Sequence, residues 1–377
     1  MLTKALNTEL PQYSRYDGAE KLNLLGLAPG ELKYFFEGLG EKPYRARQVM
    51  HWVYRRGVLD FHGMTDLSVQ FRKRLDLVAT LDLPEIAHTD RSKDGTTKWL
   101  VNVGSGQAVE TVFIPELSRG TLCISSQAGC ALDCAFCATG HHGFNRNLTA
   151  AEILGQVFLA NRGLKIEGAI TNIVFMGMGE PLANYRNVMP VAQLLVDDYG
   201  FGLSRRRVTI STAGLVPMIY RLAKECNVAL AVSLHAPTDD LRDQLVPINK
   251  RHPIRQLLKA CWYYAEGIAS RQITFEYVML RDINDSLEQA RQLTSLVRGR
   301  PAKVNLIPFN SFPGAQFQCS SKHVIDEFCQ YLRSRGVVTT IRQTRGNDID
   351  AACGQLAGKV ENRMRIRLRD KVLKRLS

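Results

Sequence analysis

The chain has 377 residues, 45% of them hydrophobic, enough apolar material for one large domain and a smaller one. Its formal net charge of +13 and pI near 9.4 favour a polyanionic partner, with nucleic acid ahead of an acidic membrane surface. The polar opening Met1–Gly18 argues against a secretory signal, no apolar run reaches the length of a membrane span, and nine cysteines, an odd number, do not suggest a disulfide scaffold. A cytoplasmic protein with no membrane attachment is the expectation.

Residues 22–83 read as helical. Pro29-Gly30-Glu31 opens an apolar segment that stops at Gly40, Pro43 begins a helix with Val49, Trp52 and Val53 on one face, and Asp66 looks like the N-cap of a third. Arginines populate the remaining surfaces, at 45, 47, 55, 56, 72 and 74. A small basic accessory domain over 1–84 follows, its charge serving either RNA contact or ordinary solvated helix faces. Residues 85–118 read as β structure: Asp94-Gly95 sits between two strand-like runs, a strong hairpin signal, and Ala108–Pro115 forms a further strand carrying Glu110. This region is expected to bridge the helical domain to the rest.

From Thr121 the pattern becomes β/α. Strands are predicted at Leu122–Ser126, Ile170–Phe175, Arg207–Ser211, Val228–Ser233, Ile273–Leu280 and Val304–Pro308. Helices are predicted at Ala150–Arg162, Asn184–Asp198, Val216–Cys226, Ile254–Glu266 and Leu287–Arg298, the first opened by a Thr149-x-x-Glu152 capping box. Six strands with helical crossovers imply a parallel sheet. Conspicuous polar residues follow several different strands, as at the carboxyl end of a barrel, and no GxGxxG follows the first strand as a doubly wound sheet would have it. The fold class is therefore α/β, a partial (β/α)6 barrel over 119–353, with the helical domain before it and a basic C-terminal helix over 354–377.

The run Gly129–Gly140, GCALDCAFCATG, holds Cys130, Cys134 and Cys137 in CxxxCxxC spacing. A cubane iron–sulfur cluster normally takes four thiolates, so three close ligands leave one iron open to a small molecule. Structural zinc sites use paired CxxC-like halves, and the chain has no second pair. The isolated Cys226, Cys261, Cys319 and Cys329 read as small buried hydrophobes.

Together with GFNRNLTAAEILGQV, MGMGEPLANY, RRVTISTAG, VSLHAP, NLIPFN and DIDAACGQLAG, this loop makes the chain resemble the RlmN/Cfr family of radical S-adenosylmethionine (SAM) RNA methyltransferases, from about Tyr44 onward. The resemblance implies one four-iron, four-sulfur (4Fe-4S) cluster on Cys130, Cys134 and Cys137, with SAM on its open iron. It implies SAM contacts at Gly179, Glu180, Ser211, Ser233, Leu234, His235 and Asn310. Read alone, each of these is an ordinary turn, strand-end or core residue.

The same resemblance assigns Cys353 to receive a methyl group from one SAM. The radical made from a second SAM activates that methyl for addition to adenine. Cys123 would then release the product by forming a transient disulfide with Cys353, and Glu110 would remove the ring proton. The expected product is 2-methyladenosine in 23S rRNA, at the peptidyl-transferase centre, and in tRNA, beside the anticodon. Cfr-like methylation at carbon 8, or a non-catalytic zinc-stabilised RNA-binding protein, are the alternatives. A flavodoxin-type reductant is implied, and a monomer is expected. The segment Lys359–Ser377 adds eight Lys/Arg against two acidic residues, with Val360, Met364, Leu368, Val372 and Leu376 on one helical face, so its basic remainder suits phosphates.

Overall fold

A computed structural model describes residues 21–164, 169–266 and 272–358. Of the C-terminal helix expected over 354–377, residues 354–358 are irregular rather than helical, and 359–377 lie outside the described residues.

The first unit is helical, as its periodicity implied. Its elements are β1 (Leu22–Asn23), α1 (Pro29–Gly38), α2 (Tyr44–Met50, continued by a wider turn at His51–Arg55), α3 (Val69–Val78) and β2 (Ala79–Thr80), with β1 and β2 paired in parallel. Pro29 starts α1, and the Glu31 side chain accepts a hydrogen bond from Ala28 N (2.8 Å). The cap of α3 differs from expectation: Ser68, not Asp66, accepts from Phe71 N (3.2 Å). Asp66 instead accepts from the Trp52 indole, because a buried indole N–H needs an acceptor more than a helix start with a serine beside it does. Arg55 fastens this unit to the barrel, donating to the carbonyls of Asp198 and Phe201.

Next come β3 (Glu85–Arg91), β4 (Thr97–Asn102), β5 (Ala108–Glu116) and β6 (Arg119–Cys123), followed by the short pair β7 (Gln127–Gly129) and β8 (Phe144–Asn147) around the small helix α4 (Ala138–His141). The alternating remainder is α5 (Ala150–Leu164), β9 (Asn172–Phe175), α6 (Tyr185–Val196), β10 (Val208–Thr212), α7 (Val216–Glu225), β11 (Ala229–Ser233), α8 (Asp239–Leu245), α9 (Ile254–Glu266), β12 (Ile273–Met279), α10 (Leu287–Val297), β13 (Ala302–Pro308), α11 (Lys322–Ser334) and β14 (Val338–Ile341).

One ten-stranded sheet runs β14-β13-β12-β11-β10-β9-β6-β5-β4-β3. The six expected parallel strands all form, and β14 adds a seventh against β13. The region expected as a bridge extends the same sheet: β5 pairs antiparallel with β6, and β4 and β3 follow outward.

Period-two alternation decides which side chains face where. Leu122, Ile173, Phe175, Ile210, Leu230, Val232, Phe275, Val304 and Leu306 are almost wholly buried on the side covered by helices. Their neighbours are polar or small: Thr121 and Cys123, Asn172 and Val174, Thr209, Ala229 and Ala231, Thr274 and Glu276, Lys303 and Asn305, Thr340 and Arg342. These line one shared cavity with Val112 and Ile114 of β5. A single cavity bordered by strands from β5 to β14 means that the sheet is curled, as a partial barrel requires.

Candidate active site

The cysteine loop is an excursion pinched at its base. β7 and β8 pair across it, and Cys130 N donates to Gly143 O (2.8 Å). Gly129 has φ +79°, and a Cβ there would stand 1.9 Å from Gly143 O, so only glycine allows the strands to meet this closely. Cys130, Cys134 and Cys137 all border a cavity at the carboxyl ends of the strands. Burial pushes the Cys130 thiol up to about 12 and Cys134 well above its ordinary value. No three His, Cys, Asp or Glu side chains among the described residues converge on a point that one metal ion could occupy. Three thiols from one loop on one cavity suit a cluster, which takes one thiolate on each of three irons, better than a tetrahedral zinc ion, which needs a fourth ligand. The chemistry of the donor set fits an iron–sulfur cluster.

Opposite the thiols stand residues from four strand ends. Glu180 is buried, with burial raising its carboxyl to about 7 against hydrogen bonds from Ala213, Thr212 and Leu182. Its Oε2 accepts from Ala213 N (2.8 Å) and its Oε1 from Leu182 N (3.0 Å), so it also ties the β9 loop to the end of β10. Gly179 has φ +95°, and a Cβ there would lie 2.4 Å from Gln127 Cβ. Ser211, Ser233, His235 and Asn310 border the same cavity.

His235 carries φ +59°, uncommon for a residue with a side chain. Its Nδ1 accepts from Val278 N (3.0 Å), which puts the neutral ring's proton on Nε2. Burial, then the charge of Arg242, lowers its pKa to about 3, so it remains neutral. Leu234 is placed differently: it is fully buried and does not border the cavity.

Cys123 closes β6, and burial pushes its thiol up to about 12, with Cys353 adding to the rise and Arg342 opposing it. It borders the lumen cavity, while the cysteine triplet borders the upper one. Cys353 borders both, the one described cysteine to do so. Among the residues common to the two cavities, Glu276 and Arg342 are the charged ones.

Cys353 rides on an irregular strap, residues 346–358, held mostly by contacts from other parts of the fold. Asp94 Oδ2 accepts from Gly346 N (3.0 Å), and Asp348 accepts from Ser92 Oγ (2.6 Å), so the β3–β4 turn grips its start. Asn310 Nδ2 donates to the Cys353 carbonyl (3.1 Å). Ala138 N of the cysteine loop donates to Gly354 O (2.8 Å).

Glu110 lies apart from both cavities. Its Oε2 accepts from Ala357 N (2.8 Å) and Gly358 N (3.2 Å), while Lys98 pairs with Oε1 at 3.1 Å. Lys98 also donates to the Asp350 carbonyl (3.4 Å), so this pair touches the strap on both sides of Cys353.

The family models agree with this architecture. Residues 22–81 match the ribosomal RNA large subunit methyltransferase N-terminal domain, and residues 124–294 match the radical SAM superfamily. The chain is 52% identical over 351 residues to the dual-specificity RNA methyltransferase RlmN of Pseudomonas putida, covering 92% of each chain. The chain belongs to the RlmN family. It is likewise 52% identical over 348 residues to the RlmN of Francisella tularensis subsp. mediasiatica, covering 90% of this chain and 94% of that one. A radical SAM methyltransferase from Sphaerobacter thermophilus, known from its crystal structure, superposes with a TM-score of 0.82 at 46% identity, over 89% of this chain and 99% of that one. Membership of the radical SAM superfamily brings SAM and an iron–sulfur cluster with it. No helix among the described residues is long and apolar enough to cross a membrane.

Sequence reasoning missed the residues that hold the site's members in place. Lys98, Asp94, Asp348 and Gln127 read as ordinary polar residues of strands and turns. Only Asp94 carried a signal, in its Asp-Gly turn. Arg242 lies on α8, a helix not predicted from the sequence, and nothing in its spacing shows that it is buried.

Proposed function

We propose that this protein methylates carbon 2 of adenosine in 23S rRNA and in tRNA, through a methyl group carried on Cys353. The observation that carries this reading is the position of Cys353 between the cysteine triplet and Cys123, bordering both cavities. Cys130, Cys134 and Cys137 would hold one 4Fe-4S cluster. When bound, the cluster and SAM supply the electron, the radical and the methyl group.

The protein's own residues do the rest. Glu180 offers a carboxylate to the SAM ammonium, while Ser211, Ser233, His235 and Asn310 wall the cavity around the cofactor. Leu234 contributes as packing behind that wall. Cys353 takes the methyl group as a thioether and stands beside the lumen where the base is modified. Cys123, as its thiolate, then attacks Sγ of Cys353 in the RNA-linked adduct: an S–S bond forms, and the bond from that sulfur to the RNA-borne carbon breaks with its electron pair left on that carbon. The carbon takes up a proton to become the methyl group, and the disulfide is left for an external reductant. Glu110 is the candidate base for the ring proton. With both its oxygens engaged, that role requires the strap to shift first.

The lumen rim carries Arg119, Arg206, Lys303 and Arg345, and the helical domain adds Arg56, stacked over Trp52 at 4.1 Å. This distribution suits a flipped base and its flanking phosphates. A flavodoxin-type electron donor and a monomeric enzyme complete the proposal.

The test is anaerobic reconstitution with iron, sulfide and SAM, followed by mass spectrometry of nuclease-digested RNA. The expected product is 2-methyladenosine. An 8-methyladenosine product would move the chemistry to carbon 8, and bound zinc with no SAM cleavage would remove the enzyme altogether.

A further inference from the structure

Arg242, on α8, is among the largest fully buried side chains, with none of its surface exposed. Its guanidinium reaches across the ends of two strands. Nε donates to Leu234 O (3.0 Å), and Nη2 donates to Ala213 O (2.6 Å) and Ser233 O (2.9 Å). Nη1 donates to Asn249 Oδ1 (2.8 Å). All four acceptors are neutral, and no carboxylate among the described residues pairs with it within 4.0 Å. Asn249 Nδ2 in turn donates to Asp239 Oδ1 (2.9 Å) and Asp243 Oδ1 (2.7 Å), so these carboxylates make no hydrogen bond to the cation and act on it from one amide away.

A buried cation without a paired anion is costly. The helix that carries it packs, at its C-terminal end, against the cysteine loop. Ala135 N donates to Leu245 O of the same helix (3.1 Å), and Leu132, Cys134 and Phe136 pack on the cluster formed by Leu245, Val246 and their neighbours. Burial draws the arginine's pKa down to about 10, and the strongest opposing influence is Cys134.

We propose that Arg242 is the buried counter-charge of the iron–sulfur cluster, raising its reduction potential from the helix packed against the cysteine loop while tying the ends of β10 and β11. This rests on the assignment of the cluster to Cys130, Cys134 and Cys137. A cubane held by three thiolates is net negative, and one electron from an external donor makes it more so, with no proton moved. A fixed cation in a low-dielectric surrounding favours the more negative state. Arg242 borders neither cavity, so it is a positioning residue and touches no substrate.

The test compares reconstituted wild-type protein with Arg242→Lys, Arg242→Gln and Arg242→Met by anaerobic redox titration followed by electron paramagnetic resonance. Lysine keeps the charge and forfeits the planar fork. Glutamine and methionine lose both, and methionine is included because an apolar side chain can replace a buried ion without loss of fold. The lysine variant should titrate near wild type. The neutral variants should be harder to reduce by at least about tenfold, a shift of about 59 mV for one electron. A purely structural role would destabilise lysine and glutamine variants alike and leave their potentials equal. Equal potentials overturn the proposal.

If both neutral variants fail to fold, Asp243→Asn decides the matter. It leaves the arginine in place and removes a carboxylate that offsets its charge; made in the wild-type and Arg242→Lys backgrounds it should raise the potential equally in both, and a potential unchanged in both overturns the proposal. A wild-type protein that assembles no cluster refutes the underlying assignment, and this inference with it.

Discussion

The two thiols of the proposed cycle are held in opposite ways. Cys123 lies within the sheet, with Val112 opposite it on β5 and Val174 on β9. Backbone ladders of a buried strand open only with much of the fold. Cys353 lies on a strap with neither strand nor α-helix around it, fixed by Asp94, Asp348, Asn310 and the Lys98–Glu110 pair. Such contacts can be released singly. A fixed thiol beside a releasable one is what the proposed chemistry needs, because one sulfur must receive a group on the cluster side and present it on the lumen side while the other waits.

The largest effect should come from removing the carrier. Cys353→Ala is expected to reduce methylated RNA to the assay background while iron and sulfide content stays at the wild-type level. Lys98→Met should act on the strap: it leaves Glu110 buried without its cation, at a cost of about 3 kcal/mol, read as a lower denaturation midpoint. Glu110→Gln sharpens the comparison. If Glu110 is chiefly a tether, both substitutions should reduce methylation in parallel with the loss of stability. If it is the base, Glu110→Gln should lose far more activity than stability.

Glu180→Gln should weaken SAM binding by about 1–1.5 kcal/mol, the difference between a charge-assisted hydrogen bond and a neutral one, and calorimetry would measure it. The same carboxyl sets a pH dependence. Its pKa of about 7 in the SAM-free protein means that it protonates as pH falls through that value. SAM affinity should therefore drop toward pH 6 and level off above about pH 8. The smallest change is expected for Asp94→Asn. Burial opposes ionisation there, but hydrogen bonds from Thr96, Gly346 and Ser92 outweigh it and hold the carboxyl well below its ordinary range. Replacing that acceptor should cost about 1 kcal/mol, and in the wild type this stabilisation is lost as pH falls through the lowered pKa.

What the sequence revealed was what repeats or clusters locally. The six parallel strands were legible because their outward sets, such as Phe275 and Tyr277 between Thr274, Glu276 and Val278, alternate with lumen residues. The cysteine loop was legible because its three cysteines lie within eight positions of one another. β14 escaped because it is four residues long, with Thr339 and Thr340 at its centre, so neither its length nor its pattern stands out. The strap escaped because its contacts join residues about 250 positions apart, such as Asp94 with Gly346. Long-range side-chain hydrogen bonds leave no periodic trace. Arg242 escaped for a different reason: no helix is predicted over Asp239–Leu245, and an arginine among Asp239, Asp240 and Asp243 suggests a solvated face, whereas the fold lays it on the ends of β10 and β11.

The distinction between the fixed and the carrying thiol is tested most directly by Cys123→Ala, expressed and purified with its RNA and then digested with nuclease for peptide mass spectrometry. The account predicts an RNA fragment bonded through a one-carbon link to Cys353, accumulating because no thiol releases it, and absent from Cys353→Ala. Free methylated RNA produced at the wild-type rate with Cys353 unmodified would contradict it.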